Sequence, residues 1–249
     1  MGAVALLSRT LHILKKSWLT QCILNFTQPL LYMTAMGLGI GTYITEMGGV
    51  SYFRFVGTGI VASTPMWVAT FSCTYDVFVK MQYQKLYQAI LTAPTSISDI
   101  VWGEVYGAVI KSCLYAFAVV IAITLLGQVQ TWMAIWFFIP IALLALVFSL
   151  ISLIYTALNP LIDYFNYYIT LFVSPAYLFS GVFFPIDSFP VWAQAVAWVN
   201  PMYHGVALCR GILLGSLPEL WWAHTLVLLG MSAILAPWPA KLFYRRIIQ

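Results

Sequence analysis

Three side chains able to move protons or carry charge, Asp187, His204 and Arg210, fall inside one apolar stretch, SGVFFPIDSFPVWAQAVAWVNPMYHGVALCRG, from Ser180 to Gly211. Acid–base catalysis would need them to converge at one depth beside a nucleophile, and no nucleophile motif accompanies them. A second pair, Glu104 and Lys111, stands seven residues apart on one face of a helix. Ionisable groups in an apolar helix usually face protein or water. Three uses are open to this pair: an ion pair across a subunit interface, the lining of a path, or a headgroup-level Glu104 with a snorkelling Lys111. No phosphate-binding loop exists, because the chain contains no Gly-Lys pair. H-E-x-x-H and G-x-S-x-G are absent, and three isolated histidines make no metal set. The alternating Gly37, Gly39 and Gly41 follow no strand, so they read as close packing. The expectation is a chain with no catalytic residue, no metal and no cofactor of its own.

The elements that hold these residues are set by lipid. Charged residues make up 7% of the 249 and hydrophobic ones 62%, against roughly a quarter charged in a soluble domain. Such a chain cannot cover a surface for water. Its net charge of +4 bears on membrane topology, not on nucleic acid. The four cysteines, unpaired in spacing, read as reduced small hydrophobes. Six runs are long enough to cross a core that takes about 20 residues each: near 19–42, 53–75, 100–126, 132–157, 164–184 and 219–241. The expected fold is therefore an all-α polytopic membrane protein forming one transmembrane domain over 1–249. Residues 1–16 lack a continuous apolar core with a cleavage site, so the first span is expected to direct insertion. Threaded through six helices, eight of the eleven Lys and Arg (Arg9, Lys15, Lys16, Lys80, Lys85, Lys241, Arg245, Arg246) lie on one side. The positive-inside rule makes that side, with both termini, cytoplasmic.

Between the spans, three segments stand out. Residues 3–17 place Arg9, His12, Lys15 and Lys16 on one arc and leucines on the other, the pattern of an amphipathic helix at the membrane interface. Residues 78–91 put Val79, Tyr83, Leu86, Tyr87 and Ile90 on one stripe and Lys80, Gln84, Lys85 and Gln88 opposite. A turn at Pro94 follows, and Ser96 with Asp99 has the spacing of a capping box opening the third span. Such a helix either rests on the membrane or is offered to a partner. Finally, Pro185, Pro190 and Pro201 break the stretch 185–218, which therefore reads as a re-entrant hairpin on the outer side. The aromatic run DYFNYYITLF, with Tyr164, Tyr167 and Tyr168, suits an interfacial belt, helix packing or stacking on sugar rings.

This arrangement resembles the type-2 ABC exporter permeases. Two segments carry the likeness: YQAILTAPTSISDIVWGE (Tyr87 to Glu104), and SGVFFPIDSFPVWAQ followed by NPMYHGVALCRGILLG. In the second, Gly181, Phe184, Pro185, Pro190, Pro201, His204 and Arg210 match the nodulation-factor (lipo-oligosaccharide) export permeases of the NodJ type. The resemblance implies a transport subunit of a bacterial inner membrane that works as a homodimer with two copies of a separate ABC ATPase, which would bind ATP and Mg. It implies ATPase coupling through Arg9, Tyr83, Lys85, Leu86, Tyr87, Pro94, Asp99 and Glu104. It further implies an outer gate at Phe184, Pro185, Asp187, Pro190, Pro201, His204 and Arg210. Tyr164, Tyr167, Tyr168 and Lys111 become candidates for the substrate path. The expected cargo is a lipid-linked or amphipathic oligosaccharide. Hydrophobic drugs or peptides are the alternative cargo, and a membrane-embedded enzyme is the alternative class.

Overall fold

A computed structural model describes residues 8, 9, 12, 15, 16, 27, 31–37, 39–44, 46–129 and 131–248. The expected interface helix 3–17 and first span 19–42 lie largely outside these residues. Within them, Ser8, Arg9, His12, Lys15 and Lys16 are helical and exposed, and 31–37 are helical. Among the described residues, three helices are long and apolar enough to cross a membrane: Ile97–Leu125, Trp132–Leu158 and Trp221–Ile247. The described residues are mostly helical. One two-residue antiparallel ladder, Glu46–Met47 with Val50–Ser51, departs from the all-helical expectation. Gly48 and Gly49, both at positive φ, supply the tight turn that lets it form.

The centre is the helix Tyr52–Phe71, with 16 of its 20 residues buried. It packs against Ile97–Leu125, Phe138–Leu158 and Pro201–Leu214. Its glycines explain how closely. A Cβ at Gly59 would lie 2.8 Å from the Val182 carbonyl oxygen and 3.1 Å from Arg210 Nη2, so only glycine admits that neighbour. A second cluster, with Phe78, Tyr87, Ile100, Phe165 and Phe243, fills the end of the bundle where the chain turns from the helix starting at Tyr52 into Ile97–Leu125.

Three elements differ from the sequence expectation in extent. The helix from Tyr52 does not stop near residue 75. It continues through π turns at Ser72–Asp76 and Val79–Tyr83, so the first half of the expected 78–91 helix is the tail of this long one. Lys85 then takes a left-handed conformation, φ 51, and only Leu86–Ile90 follows as helix. The stripe drawn through Tyr83 and Tyr87 is therefore split across a bend: Tyr83 is 68% exposed and Tyr87 is buried. Third, the helical run from Tyr164 ends at Leu178 instead of 184. Gly181, at φ 83, turns the chain there. At 1.5 Å per residue these 15 residues span roughly 22 Å, less than the ~30 Å apolar core.

Candidate functional site

The elbow between the two long helices is built around one carboxylate. Ser96 accepts from the Asp99 amide at 3.1 Å while Asp99 accepts from the Ser96 amide at 3.2 Å, the reciprocal pair anticipated from their spacing. This cap starts the helix Ile97–Leu125 and orients Glu104 toward the elbow. Glu104, 8% exposed, takes Lys80 Nζ at 2.6 Å on one oxygen and the Tyr87 hydroxyl at 2.9 Å on the other. Lys80 precedes the Lys85 bend and Tyr87 follows it. One buried carboxylate thus holds both arms of the elbow. Burial, then the Glu104 charge, hold the Tyr87 phenol well above its ordinary range, so it stays a hydrogen-bond donor.

Lys111, two turns further on the same face, bonds Asp76 Oδ2 at 3.3 Å and Ser72 Oγ at 3.4 Å. Glu104 and Lys111 thus face protein and pair with the preceding helix, not with each other. The remaining residues expected to act in coupling lie at the surface of the elbow: Tyr83, Lys85 and Pro94 exposed, Leu86 and Asp99 half-buried. Arg9 is helical and exposed. Arg246, which the sequence did not single out, donates to the Thr156 carbonyl and sits 5.6 Å over the Phe78 ring. It braces the elbow from the C-terminal helix Pro237–Ile248.

The proline-broken stretch forms two helices, Val191–Val199 and Pro201–Leu214, after a short 3-10 turn at Ile186–Ser188. Asn200 joins them. Its Oδ1 caps the second helix at the Met202 amide, 3.0 Å, and its Nδ2 donates to the Ala176 carbonyl, 2.6 Å. The Asn-Pro pair is the sequence signal for that cap. Arg210 donates Nη2 to the Gly181 carbonyl at 2.8 Å and to Val182 at 3.3 Å, and its guanidinium lies 3.7 Å from the Phe55 ring. A cation thereby pins the left-handed break at Gly181 onto the central helix.

His204 meets the Trp198 carbonyl and His224, a residue sequence reasoning passed over. Asp187 is exposed and, among the described residues, hydrogen-bonds to neither His204 nor Arg210, although its charge acts on Tyr203 beside His204. The trio named from sequence therefore forms no convergent constellation: His204 and Arg210 make two separate ties and Asp187 stands at the surface. Phe184 and Pro190 are exposed and Pro201 is buried.

The aromatic candidates also separate. Tyr164 and Tyr167 are exposed with ring centroids 6.2 Å apart. Tyr168 is buried, 3.2 Å from Ser152 and stacked on Tyr155. Beyond them an open apolar groove of about 580 Å³ runs between Leu171 and Phe172, Val196 and Val199 of the hairpin, and Met231 and Ile234 of the last long helix. Among the described residues no three His, Cys, Asp or Glu side chains gather as metal ligands.

Residues 2–214 match the family model of the ABC-2 type transporter. The chain is 36% identical over 202 residues to nodulation protein J of Rhizobium leguminosarum bv. trifolii, covering 81% of this chain and 77% of that one. It is 35% identical over 203 residues to nodulation protein J of Rhizobium meliloti (strain 1021), covering 81% and 77%. It is 25% identical over 211 residues to the inner membrane transport permease YadH of Escherichia coli (strain K12), covering 84% and 81%.

Proposed function

This chain belongs to the ABC-2 type transporter family, and from that premise we propose that it is the membrane half of an exporter for an amphipathic, lipid-linked oligosaccharide, driven at its elbow by a separate ATPase. Membership makes it the membrane part of a transporter, not a nucleotide-binding domain, and implies an ABC ATPase partner. The observation that carries the coupling role is the Glu104 clamp. Its two bonds span the Lys85 bend, so a push on the exposed Tyr83–Lys85 corner reaches the helix Ile97–Leu125 as one rigid piece. In this reading two copies of the chain pair with two ATPases, both termini face the cytoplasm, and six spans cross the bacterial inner membrane. Nucleotide-driven closure presses the elbow inward, and the hairpin pinned by Asn200 and Arg210 closes the outer end. The apolar groove suits the lipid part of the cargo. The saccharide part of the cargo rests on the resemblance to the lipo-oligosaccharide export permeases, with which the nodulation protein J relatives agree in name.

The test is purification with the neighbouring ATPase in nanodiscs. Wild type shows cargo-stimulated hydrolysis and loads lipo-oligosaccharide into inverted vesicles. Replacing Tyr83 and Lys85 together by alanine lowers stimulation at least tenfold with the complex's folding unchanged. Full stimulation in that variant would overturn the coupling role. Transport of hydrophobic drugs with no transport of the glycolipid would overturn the cargo and leave the exporter standing.

A further inference from the structure

Two buried histidines face each other where the hairpin meets the last long helix. His204 Nδ1 lies 2.7 Å from His224 Nδ1, and His204 Nε2 lies 2.9 Å from the Trp198 carbonyl oxygen. The box around them is aromatic. Trp198 stacks on His224 with centroids 5.5 Å apart and planes at 16°, and Tyr203 stands edge-on to both imidazoles. One contact therefore joins three elements: Val191–Val199, Pro201–Leu214 and Trp221–Leu235.

The chemistry of this contact is restrictive. A carbonyl only accepts, so His204 Nε2 carries hydrogen. In neutral His204 the Nδ1 is then a lone pair, and His224 Nδ1 must be the donor. The 2.7 Å gap holds one hydrogen and has no room for two, so the closed pair cannot exist with both rings fully protonated. Among the described residues, Tyr203 is the other titratable group against the pair, and Asp187 acts on Tyr203. The remaining elements packed on the second hairpin helix bring Tyr52, Arg54, Tyr155 and Tyr177, and the Tyr52 hydroxyl bonds neither ring. Tyr155 is spent on the Tyr164 carbonyl, and neither histidine is hydrogen-bonded to Arg54 or Tyr177. Arg210, on the same helix, is occupied by the Gly181 and Val182 carbonyls. Among the described residues, no carboxylate hydrogen-bonds to either ring to hold an extra proton.

We propose that His204 and His224 form a proton-sensitive latch that fastens the hairpin to the last long helix at neutral pH and releases it on acidification. The sign follows from proton counting. An opened pair, hydrated, binds up to two protons below the ordinary histidine value of about 6.5, whereas the closed pair holds at least one fewer. Closure is thus fully favoured above about pH 6.5 and weakens as pH falls. The slope is about tenfold in the closed-to-open ratio per pH unit for each extra proton. Placing the latch at the outer face rests on the topology proposed above, which would make external acidity the signal that frees the gate.

Hydrogen–deuterium exchange of the full chain in micelles reads the latch directly, since both faces then meet the same buffer. After correction for intrinsic exchange, peptides from 191–214 should open about tenfold more per pH unit between 6.5 and 5.5, while peptides from 138–158 stay flat. His224→Gln presents either an N–H or a carbonyl to His204, so its hairpin exchange should be independent of pH. A flat wild-type profile overturns the latch, whether or not the variant folds. An equal pH response in His224→Gln also overturns it. In sealed inverted vesicles the response should follow the lumenal pH. If it follows the bath instead, the latch stands and the outward placement of the hairpin falls.

Discussion

Glu104 is the side chain on which the elbow depends most, because its loss strands two partners at once. Lys80 would keep its charge in a site with little water, and Tyr87 would lose the acceptor for a buried hydroxyl. Removing one member of a buried ion pair typically costs about 3–5 kcal/mol. Glu104→Gln should therefore lower the thermal midpoint in micelles markedly, and adding Lys80→Met should restore much of the loss in a double-mutant cycle. Additive losses would show that the pair is not coupled. Gly59 gives a steric counterpart. Gly59→Ala drives a methyl against the Val182 carbonyl and the Arg210 guanidinium, and overpacking of this kind costs about 1–3 kcal/mol. Its readout is folded yield and the thermal midpoint, with Gly57→Ala, whose nearest neighbour is the end of the flexible Met33 side chain at 3.2 Å, as the milder comparison. Spacing revealed the Ser96–Asp99 cap, since both partners lie within one turn. His224 and Arg246 were not legible, since their partners lie 20 and 90 residues away.

At the scale of elements, two bends govern how the molecule would transmit force. Lys85 adopts a left-handed conformation without being glycine, at a cost of roughly 1–2 kcal/mol. Lys85→Gly should relieve that strain and raise the thermal midpoint by a few degrees. In the ATPase complex the same change tests whether the charge is used: lost stimulation with a stabilised subunit would assign Lys85 to the partner surface. The second bend is the Asn200 joint. Asn200→Ala removes a helix cap and the tie to Ala176, so a loss of about 1–2 kcal/mol is expected, seen as faster exchange at the start of Pro201–Leu214. Periodicity read these segments as helical but misjudged their limits. A π turn keeps a helix going with an altered pitch, and a single left-handed residue ends one. Neither leaves a trace in a hydrophobic stripe.

At the scale of the whole molecule, the proposed topology makes a simple prediction. A green fluorescent protein fused after Gln249 should fluoresce and a periplasmic phosphatase fused there should be inactive, with the reverse for fusions at Ser216. Identical outcomes at both sites would reject an odd number of crossings between them. The sequence by itself determined that lipid is the solvent, that the chain has no phosphate loop of its own, and which family it joins. Composition, the distribution of cations and short motifs are local properties, readable without coordinates. Only the tertiary structure decided what the scarce polar groups do. It paired Glu104 with Lys80 and Tyr87, Arg210 with the carbonyls of a broken turn, and His204 with His224. In an apolar interior a polar group must find a partner wherever packing brings one, and packing joins residues that the chain keeps far apart.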